Sequence, residues 1–356
     1  MSKTVTIYDV AAAAGVSIAT VNRALNNKPR ISEATRQRVI KVASELGYTA
    51  NKAAQALSRK PITIGIIICD TIHEVQQGVL RGMKKAITQL ESLNVRCQFF
   101  ITEENNTDNS FSQYERAFSL FRRSGVNGII IFTGYEPLKQ KQEINSLFDD
   151  NILTATIVTD IPDSRRVLSV RCNGVCEGRM AAEMLNLLVP GGKIAIFASS
   201  QKIPICDENL KGFRKACASL SITEGPVFEN QDNPILAYHA VDRLITEYPE
   251  VDGIYICSAN SDSVCKRIEE LGVKGKYKIV ATDLFEGVSK NIEKGIINAS
   301  LFQNLEKQGE VVVKTFYKKL CGELSQDAQE ILFIPEIVMN SNKDYILERS
   351  KYGNDF

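Results

Sequence analysis

Residues 6–26 read TIYDVAAAAGVSIATVNRALN, and this stretch decides how the amino-terminal part of the chain folds. Gly15 interrupts a helical pattern, because glycine adopts the left-handed backbone conformation that ends a helix sharply. Ser17 follows as the expected cap of a second helix. Apolar residues recur at helical spacing on both sides of the break, at Ile7, Val10, Ala11, Val16, Val21 and Leu25. The pattern predicts a helix-turn-helix. Its outward-facing side chains are Ile18, Ala19, Asn22 and Arg23.

The segment that follows predicts a third helix. Ser32 is a suitable cap for the run EATRQRVIKVASELGY, residues 33–48. The apolar stripe of this run is spaced to close a three-helix core, and it consists of Val39, Val42, Ala43 and Leu46.

Charge is distributed unevenly along the chain. Residues 1–60 hold ten Lys or Arg and three Asp or Glu, whereas the remaining residues hold 33 and 39. The head therefore carries +7 and the body −6. A positive domain next to an acidic one is expected when only the head faces phosphates, although a solvated basic surface would give the same counts.

The head resembles the LacI family of regulators. The shared pattern is T-I-Y-D-V-A-x-x-A-G-V-S-x-x-T-V-x-R-x-L-N, then S-x-x-T-R-x-x-V, then G-Y-x-x-N-x-x-A-x-x-L at residues 47–57. The resemblance implies that residues 18–26 enter the major groove of DNA, where Arg23 would donate two hydrogen bonds to a guanine edge. Ile18 and Ala19 would contact a thymine methyl group or make no base contact, and Asn22 would contact a phosphate or an adenine. Arg30 is assigned to the same surface. Residues matching family positions that hold backbone phosphates are Tyr8, Ser17, Thr20, Asn26, Thr35 and Asn51.

Residues 50–60, ANKAAQALSRK, match the hinge helix of that family. The resemblance implies that this helix forms on DNA and that each subunit inserts a leucine, here Leu57, into the minor groove. Ala54 belongs to the same DNA-contacting segment. The family usually has proline before the hinge asparagine, and Ala50 makes the entry to the hinge less rigid here. We therefore expect a DNA-binding domain at 1–50, a hinge at 51–61 and a body at 62–356.

From Ile62 onward, short β-rich runs alternate with amphipathic helical stretches, which predicts parallel sheets with helices on both faces. The body also repeats itself. ITIGIII from residue 62 is echoed by GKIAIF near Lys193, RGMKKA at 81–86 by KGFRKA at 211–216, and VNGIIIF at 126–132 by VDGIYIC at 251–257. The offsets of 130, 130 and 125 residues indicate two similar doubly wound lobes. This resembles the two-lobed, sugar-binding fold of periplasmic-binding-protein type I that LacI regulators carry. Crossings between the lobes are expected near 159–163, 285–290 and 320–330.

Polar residues at the predicted strand ends are candidates for binding a small-molecule effector, because open α/β sheets bind ligands there. The candidates are Asp70, Thr133, Asp160, Asn260, Asp283 and Gln303, of which the last three match effector-facing family positions. Each also has a structural alternative, since Asp and Asn commonly cap the following helix. Asp207 and Asn209 are also predicted to bind the effector, and the family usually has an arginine where this chain has Asp207. That change argues for a neutral polyol, a sugar or a partly cationic molecule rather than an anion.

Several classes of protein are disfavoured by the sequence. Nine cysteines, an odd number, lie partly in apolar runs and form no C-x-x-C pair, and only two histidines are present, so we expect no metal and no cofactor. The chain starts without a secretory signal and lacks an apolar run long enough to span a bilayer, which predicts a cytoplasmic protein with no membrane partner.

The body alone is also compatible with two other functions. One is an enzyme acting on sugars, in which paired carboxylates would act as acid and base, and the other is a solute-binding module for uptake. Neither explains the head. The expected partners are palindromic double-stranded operator DNA, the effector and a second copy of the chain. A homodimer is favoured over a tetramer because no further heptad-patterned helix follows the body.

Overall fold

The computed structural model describes residues 5–25, 29–48, 60–69, 73–102, 110–133 and 137–352. The chain separates into two compact units, one of Met1–Pro61 with Ser92–Asn94 and one of Ile62–Glu91 with Val95–Phe356. None of the helices within the described ranges combines the length and the apolar character needed to span a bilayer.

The first unit contains the predicted helix-turn-helix. Its helices are α1 (Ile7–Ala14), α2 (Ile18–Leu25) and α3 (Glu33–Glu45). Gly15 ends α1 at φ +63°, and the hydroxyls of Ser17 and Ser32 accept the backbone N–H of Thr20 and Thr35. The three-helix core has fully buried members at Val10, Ala11, Ala14, Val21, Ala24, Val39 and Ala43. Leu46 was expected in that core, and this expectation was wrong: α3 ends one residue earlier, and the Leu46 side chain is 38% exposed.

The second unit contains two six-stranded sheets. The first has the order β11-β5-β4-β3-β1-β2 and is parallel throughout. Its strands are β1 (Ile62–Ile68), β2 (Val95–Ile101), β3 (Gly128–Phe132), β4 (Leu153–Val158), β5 (Leu168–Cys172) and β11 (Gln329–Phe333). The second has the order β12-β10-β9-β8-β6-β7, with β12 antiparallel. Its strands are β6 (Lys193–Ala198), β7 (Thr223–Glu229), β8 (Gly253–Cys257), β9 (Lys278–Thr282), β10 (Ala299–Phe302) and β12 (Glu336–Val338).

Helices cover the sheets because the central strands are continuous apolar runs that must be buried on both faces. These helices are α4 (His73–Leu90), α5 (Ser110–Ser124), α6 (Lys141–Asp149), α7 (Gly174–Leu188), α8 (Pro204–Cys217), α9 (Pro234–Glu247), α10 (Ser261–Glu270), α11 (Glu286–Glu293), α12 (Leu305–Leu320) and α13 (Lys343–Tyr352).

The internal repeat is confirmed by the strand order, because β1 to β5 occupy in the first sheet the places that β6 to β10 occupy in the second. The repeated glycines have one structural role. A Cβ on Gly82 of α4 would lie 1.8 Å from the Glu306 carbonyl oxygen, and one on Gly212 of α8 would lie 2.1 Å from that of Val175. In each lobe, glycine thus allows two helix backbones to touch: α4 with α12, and α7 with α8.

Two of the three predicted crossings between lobes were wrong, and the third, expected near 320–330, lies a few residues later, between β11 and β12. Segment 159–163 joins β4 to β5 within the first sheet, and 285–290 joins β9 to β10 within the second. The chain instead crosses after β5, after β10, and between β11 and β12. Each crossing follows directly from a strand end without a long linker, so no composition signal marks it.

Candidate functional site

The described surface of α2 presents the side chains predicted to meet DNA. Ala19 and Arg23 are exposed, Ile18 is 36% exposed, and Thr20 and Asn22 are half-buried. Tyr8 on α1 is 68% exposed. The hydroxyl pairs Ser17–Thr20 and Ser32–Thr35 lie 2.9 and 2.8 Å apart and orient the first turns of α2 and α3. Arg30, at φ +65°, is exposed in the loop between these helices.

Arg36 supports α2 from α3, a role that the sequence reasoning missed. Its Nη1 donates to the backbone carbonyl oxygens of Arg23 and Ala24 at 3.5 and 3.4 Å. A cation at the carboxyl end of a helix binds carbonyls left without helical partners and interacts favourably with the helix dipole. The only signal was its place in the S-x-x-T-R pattern.

In the body, Asp283 directly follows β9 and has the left-handed backbone conformation, at φ +63°. Its side chain is buried, and Oδ1 has no hydrogen-bond partner among the residues that the structure describes. The next helix, α11, has Phe285 at its N-cap and no side-chain cap, so Asp283 does not serve as a cap. Burial raises the pKa of Asp283 to about 7, against a smaller opposing effect of the Gln303 backbone N–H.

Glu177 is a second buried acid in this region, and the sequence reasoning missed it. It lies on α7 and is fully buried; Gln303 Nε2 donates to its two carboxylate oxygens at 3.1 and 3.2 Å. With its amide group rotated, Asn209 donates to Glu177 at 3.2 Å. Burial, and then the charge of Asp283, raise the pKa of Glu177 to about 8. In sequence, a Glu inside an amphipathic helix gives no sign of burial.

The two lobes approach each other at the carboxyl ends of their strands. The chain crosses between the lobes directly after β5 and directly after β10. Gln303, which follows β10, bonds Glu177 near the start of α7, and the Asp283 backbone N–H donates to Leu301 of β10 at 2.8 Å. An ion pair of 2.6 Å joins Arg171 of β5 to Glu208 of α8. Asp283 and Gln303 therefore lie beside the junction of the lobes, where an α/β protein of this kind has its ligand cleft.

The other effector candidates have varied surroundings. Thr133 is buried at the end of β3, and its hydroxyl has no hydrogen-bond partner within the described part of the chain. Asn260 has the N-cap position of α10 without capping it, and its amide donates to Asn230 at 3.3 Å. Asp160 already binds Arg166. Burial alone would raise the pKa of Asp160, but the hydrogen bonds and charge of Arg166 together with the Thr156 hydroxyl lower it below its ordinary value. Asp207 forms an ion pair with Lys211 on the surface of α8.

Comparisons with known proteins address both units. Residues 6–51 match the family model "Bacterial regulatory proteins, lacI family", and residues 64–324 match "Periplasmic binding protein domain". The chain belongs to the lacI family of bacterial regulatory proteins. This lacI-family chain is thus a DNA-binding regulator whose body has the periplasmic-binding-protein fold.

Curated relatives of the lacI-family chain are regulators. It is 34% identical to the HTH-type transcriptional regulator DegA of Bacillus subtilis over 44% of each chain. It is 25% identical to catabolite control protein A of Priestia megaterium over 71% of this chain and 73% of that one. It is 27% identical to the ribose operon repressor of Bacillus subtilis over 70% and 71%.

Solved structures share the fold of the lacI-family body. A glucose-galactose binding protein from Geobacillus stearothermophilus superposes with a TM-score of 0.71 at 22% identity, covering 80% of this chain and 99% of that one. A solute binding protein from Bacillus halodurans with bound myo-inositol superposes with a TM-score of 0.72 at 14% identity, covering 82% and 98%.

Five of the predicted site residues lie outside the described residues: Asn26, Asn51, Ala54, Leu57 and Asp70. Among the residues that are described, no group of three or more His, Cys, Asp or Glu could hold a metal ion.

Proposed function

We propose that this chain is a cytoplasmic, homodimeric repressor that binds a palindromic operator and releases it when a small sugar or polyol binds between the lobes of the body. The exposed face of α2, on a compact unit that matches the lacI family, carries the proposal. Two such heads bind two half-sites related by the symmetry of the dimer.

In the head, we assign base readout to Ile18, Ala19, Asn22 and Arg23. Contacts to the phosphate backbone are assigned to Tyr8, Ser17, Thr20, Asn26, Arg30, Thr35 and Asn51. Residues 51–61 form the hinge, in which Ala54 and Leu57 enter the minor groove, between a DNA-binding domain at 1–50 and a body at 62–356. This division is supported by the separation of the chain into compact units at Pro61.

In the body, we assign the effector to Thr133, Asn260, Asp283 and Gln303. The unpartnered Oδ1 of Asp283 supports this choice, because a buried carboxylate oxygen without a partner is costly and a ligand hydroxyl would satisfy it. The names of the ribose operon repressor and of the myo-inositol complex support a hydroxylated ligand. Asp160 is left out because its carboxylate is already bound by Arg166.

We propose no catalytic step for this site. The curated relatives are regulators, and the hydrogen bonds to Glu177 come from amide groups. A turnover assay against the ligands that bind should detect no product.

The test begins with selection of random duplex DNA by the full chain. A palindrome of two half-sites is expected, and unrelated sequences would contradict the proposal. Thermal-shift screening of sugars and polyols then identifies ligands, and operator affinity is measured with and without each. Leu57→Ala should weaken operator binding and remove the DNA bend, since the wedge is lost while the body stays folded. An unchanged bend would exclude the proposed hinge.

A further inference from the structure

Two carboxylates in the lobe junction have no cation to balance them among the described residues. Asp283 is 7% exposed and Glu177 is fully buried. The hydrogen bonds to Glu177 come from the neutral amides of Gln303 and Asn209, and Oδ1 of Asp283 has no partner. Buried carboxylates are normally paired with a cation or hydrogen-bonded throughout, so this arrangement is incomplete.

The groups around Glu177 do not supply a positive charge. Besides Asp283, the titratable side chains that interact electrostatically with Glu177 are thiols and a phenol: Cys172, Cys206, Cys257 and Tyr255. Burial raises the pKa of each, so all four are neutral near pH 7.

Nearby arginines are engaged elsewhere. Arg171 binds Glu208 at 2.6 Å and Glu330 at 3.5 Å, and Arg166 binds Asp160 and Glu330. The body segments outside the described residues, 70–72, 103–109, 134–136 and 353–356, contain no Lys or Arg by sequence, so they provide no counter-charge either.

A separate polar group without a partner lies in the other lobe. The hydroxyl of Thr133, at the carboxyl end of β3, is 3% exposed and unpartnered. Each lobe thus has a buried oxygen without a partner at the carboxyl end of a strand, where this fold binds its ligands. Where the family usually has an arginine, which would attract anionic ligands, this chain has Asp207, which carries the opposite charge.

We propose that the effector carries a protonated amino group, as in an amino sugar or an aminated polyol, and that this group binds Oδ1 of Asp283 as the Asp283 carboxyl group releases its proton to solvent. The inference rests on the proposed function and specifies its ligand class. An ammonium group donates three hydrogen bonds and its charge stabilises the ionised form of Asp283, whereas a hydroxyl provides one donor and no charge.

The test uses pairs of compounds that differ by one amino group: glucosamine with glucose, galactosamine with galactose, and glucamine with sorbitol. Binding to the full chain is measured by thermal shift and calorimetry at pH 6.5, where the amines are protonated. In at least one pair the amine should bind about tenfold or more tightly than its hydroxyl partner. The preference should be lost in Asp283→Asn and kept in Glu177→Gln, because burial keeps Glu177 protonated at this pH.

Glu286→Gln is the matched control, because Glu286 is an exposed acid three residues from Asp283 that pairs with Lys290. It should keep the preference. The proposal is overturned if no amine binds the wild type, if the hydroxyl partner binds as tightly in each pair that binds, or if Asp283→Asn retains the preference. If a neutral sugar binds and alters operator affinity while no amine is preferred, this inference fails but the proposed function stands. An amine that binds with the expected preference but leaves operator affinity unchanged counts against the proposed function alone.

Discussion

Arg23 is exposed at the end of α2, while its backbone carbonyl accepts a hydrogen bond from Arg36. The Arg23 side chain is thus available to DNA, while the hydrogen bond from Arg36 holds its backbone in place. Asp283 and Glu177 are the opposite case: they are buried, and their chemistry depends on what surrounds them. Each type of residue leads to its own prediction.

Arg23→Ala should weaken operator binding by about 1–3 kcal/mol and relax the preference at one base pair in each half-site, because a bidentate guanine contact is lost. Thr35→Ala should weaken binding to all sequences alike, because a phosphate contact carries no sequence information. Selection from random duplexes measures both effects. If Arg23→Ala retains the full wild-type preference, α2 is oriented differently on DNA.

The raised pKa values of Asp283, about 7, and Glu177, about 8, predict how stability depends on pH. In the unfolded chain both groups ionise near pH 4, so folding takes up protons between about pH 4 and 8. The ligand-free body should therefore lose stability as pH rises through this range, by at most about 1.4 kcal/mol per pH unit for each group. Denaturant melts of Glu177→Gln should show a shallower slope and higher stability at pH 8. Identical slopes would show that folding does not raise the pKa of Glu177.

At the scale of elements, packing in both units depends on small local features. Arg36 of α3 holds the carboxyl end of α2, and glycines allow α7 to contact α8. α7 is the first helix after the chain crosses between lobes, and it carries Glu177. Changes in these elements should therefore affect the sites that they position.

Arg36→Ala should increase hydrogen exchange of the α2 amides in the full chain, because two carbonyls at the end of that helix lose their charged donor. Hydrogen bonds to charged groups contribute about 1.5–3 kcal/mol each, and the long distances here place the expected loss near 1 kcal/mol. Arg38→Ala, an exposed position on the same helix, is the control and should leave exchange unchanged. Equal exchange in both variants would exclude a supporting role for Arg36.

Gly178→Ala should destabilise the body by about 1–3 kcal/mol or more, as overpacking does. The added Cβ would lie 1.9 Å from the Asn209 carbonyl oxygen, so α7 and α8 must move apart. Glu183→Ala, exposed on the same helix, is the control. Thermal denaturation distinguishes the two, and an unchanged melting temperature for Gly178→Ala would mean that the helices are not in backbone contact.

At the scale of the whole molecule, the proposed regulation links a ligand in one compact unit to DNA binding by another. Asp283→Asn should abolish the response of operator binding to the effector without changing operator affinity in its absence, because the head has its own core. Operator titrations with and without a ligand found by screening measure both quantities. A variant that responds like the wild type would remove Asp283 from the effector site.

The sequence by itself determined the helix-turn-helix, the family and the two-lobed body. These follow from the spacing of residues along the chain and from the internal repeat, and both can be read without knowing which segments meet in the tertiary structure. Helix caps such as Ser17 and Ser32 were predicted correctly for the same reason, since a cap binds a backbone group three residues away.

The tertiary structure alone decided where the chain crosses between lobes and which acids are buried without a cation. Asp160 and Asp283 both follow predicted strands, yet the first pairs with Arg166 and the second has an unpartnered oxygen. Glu177 meets Gln303, which is 126 residues away along the chain. Burial and charge pairing depend on which distant segments are brought together, and no local pattern encodes that distance.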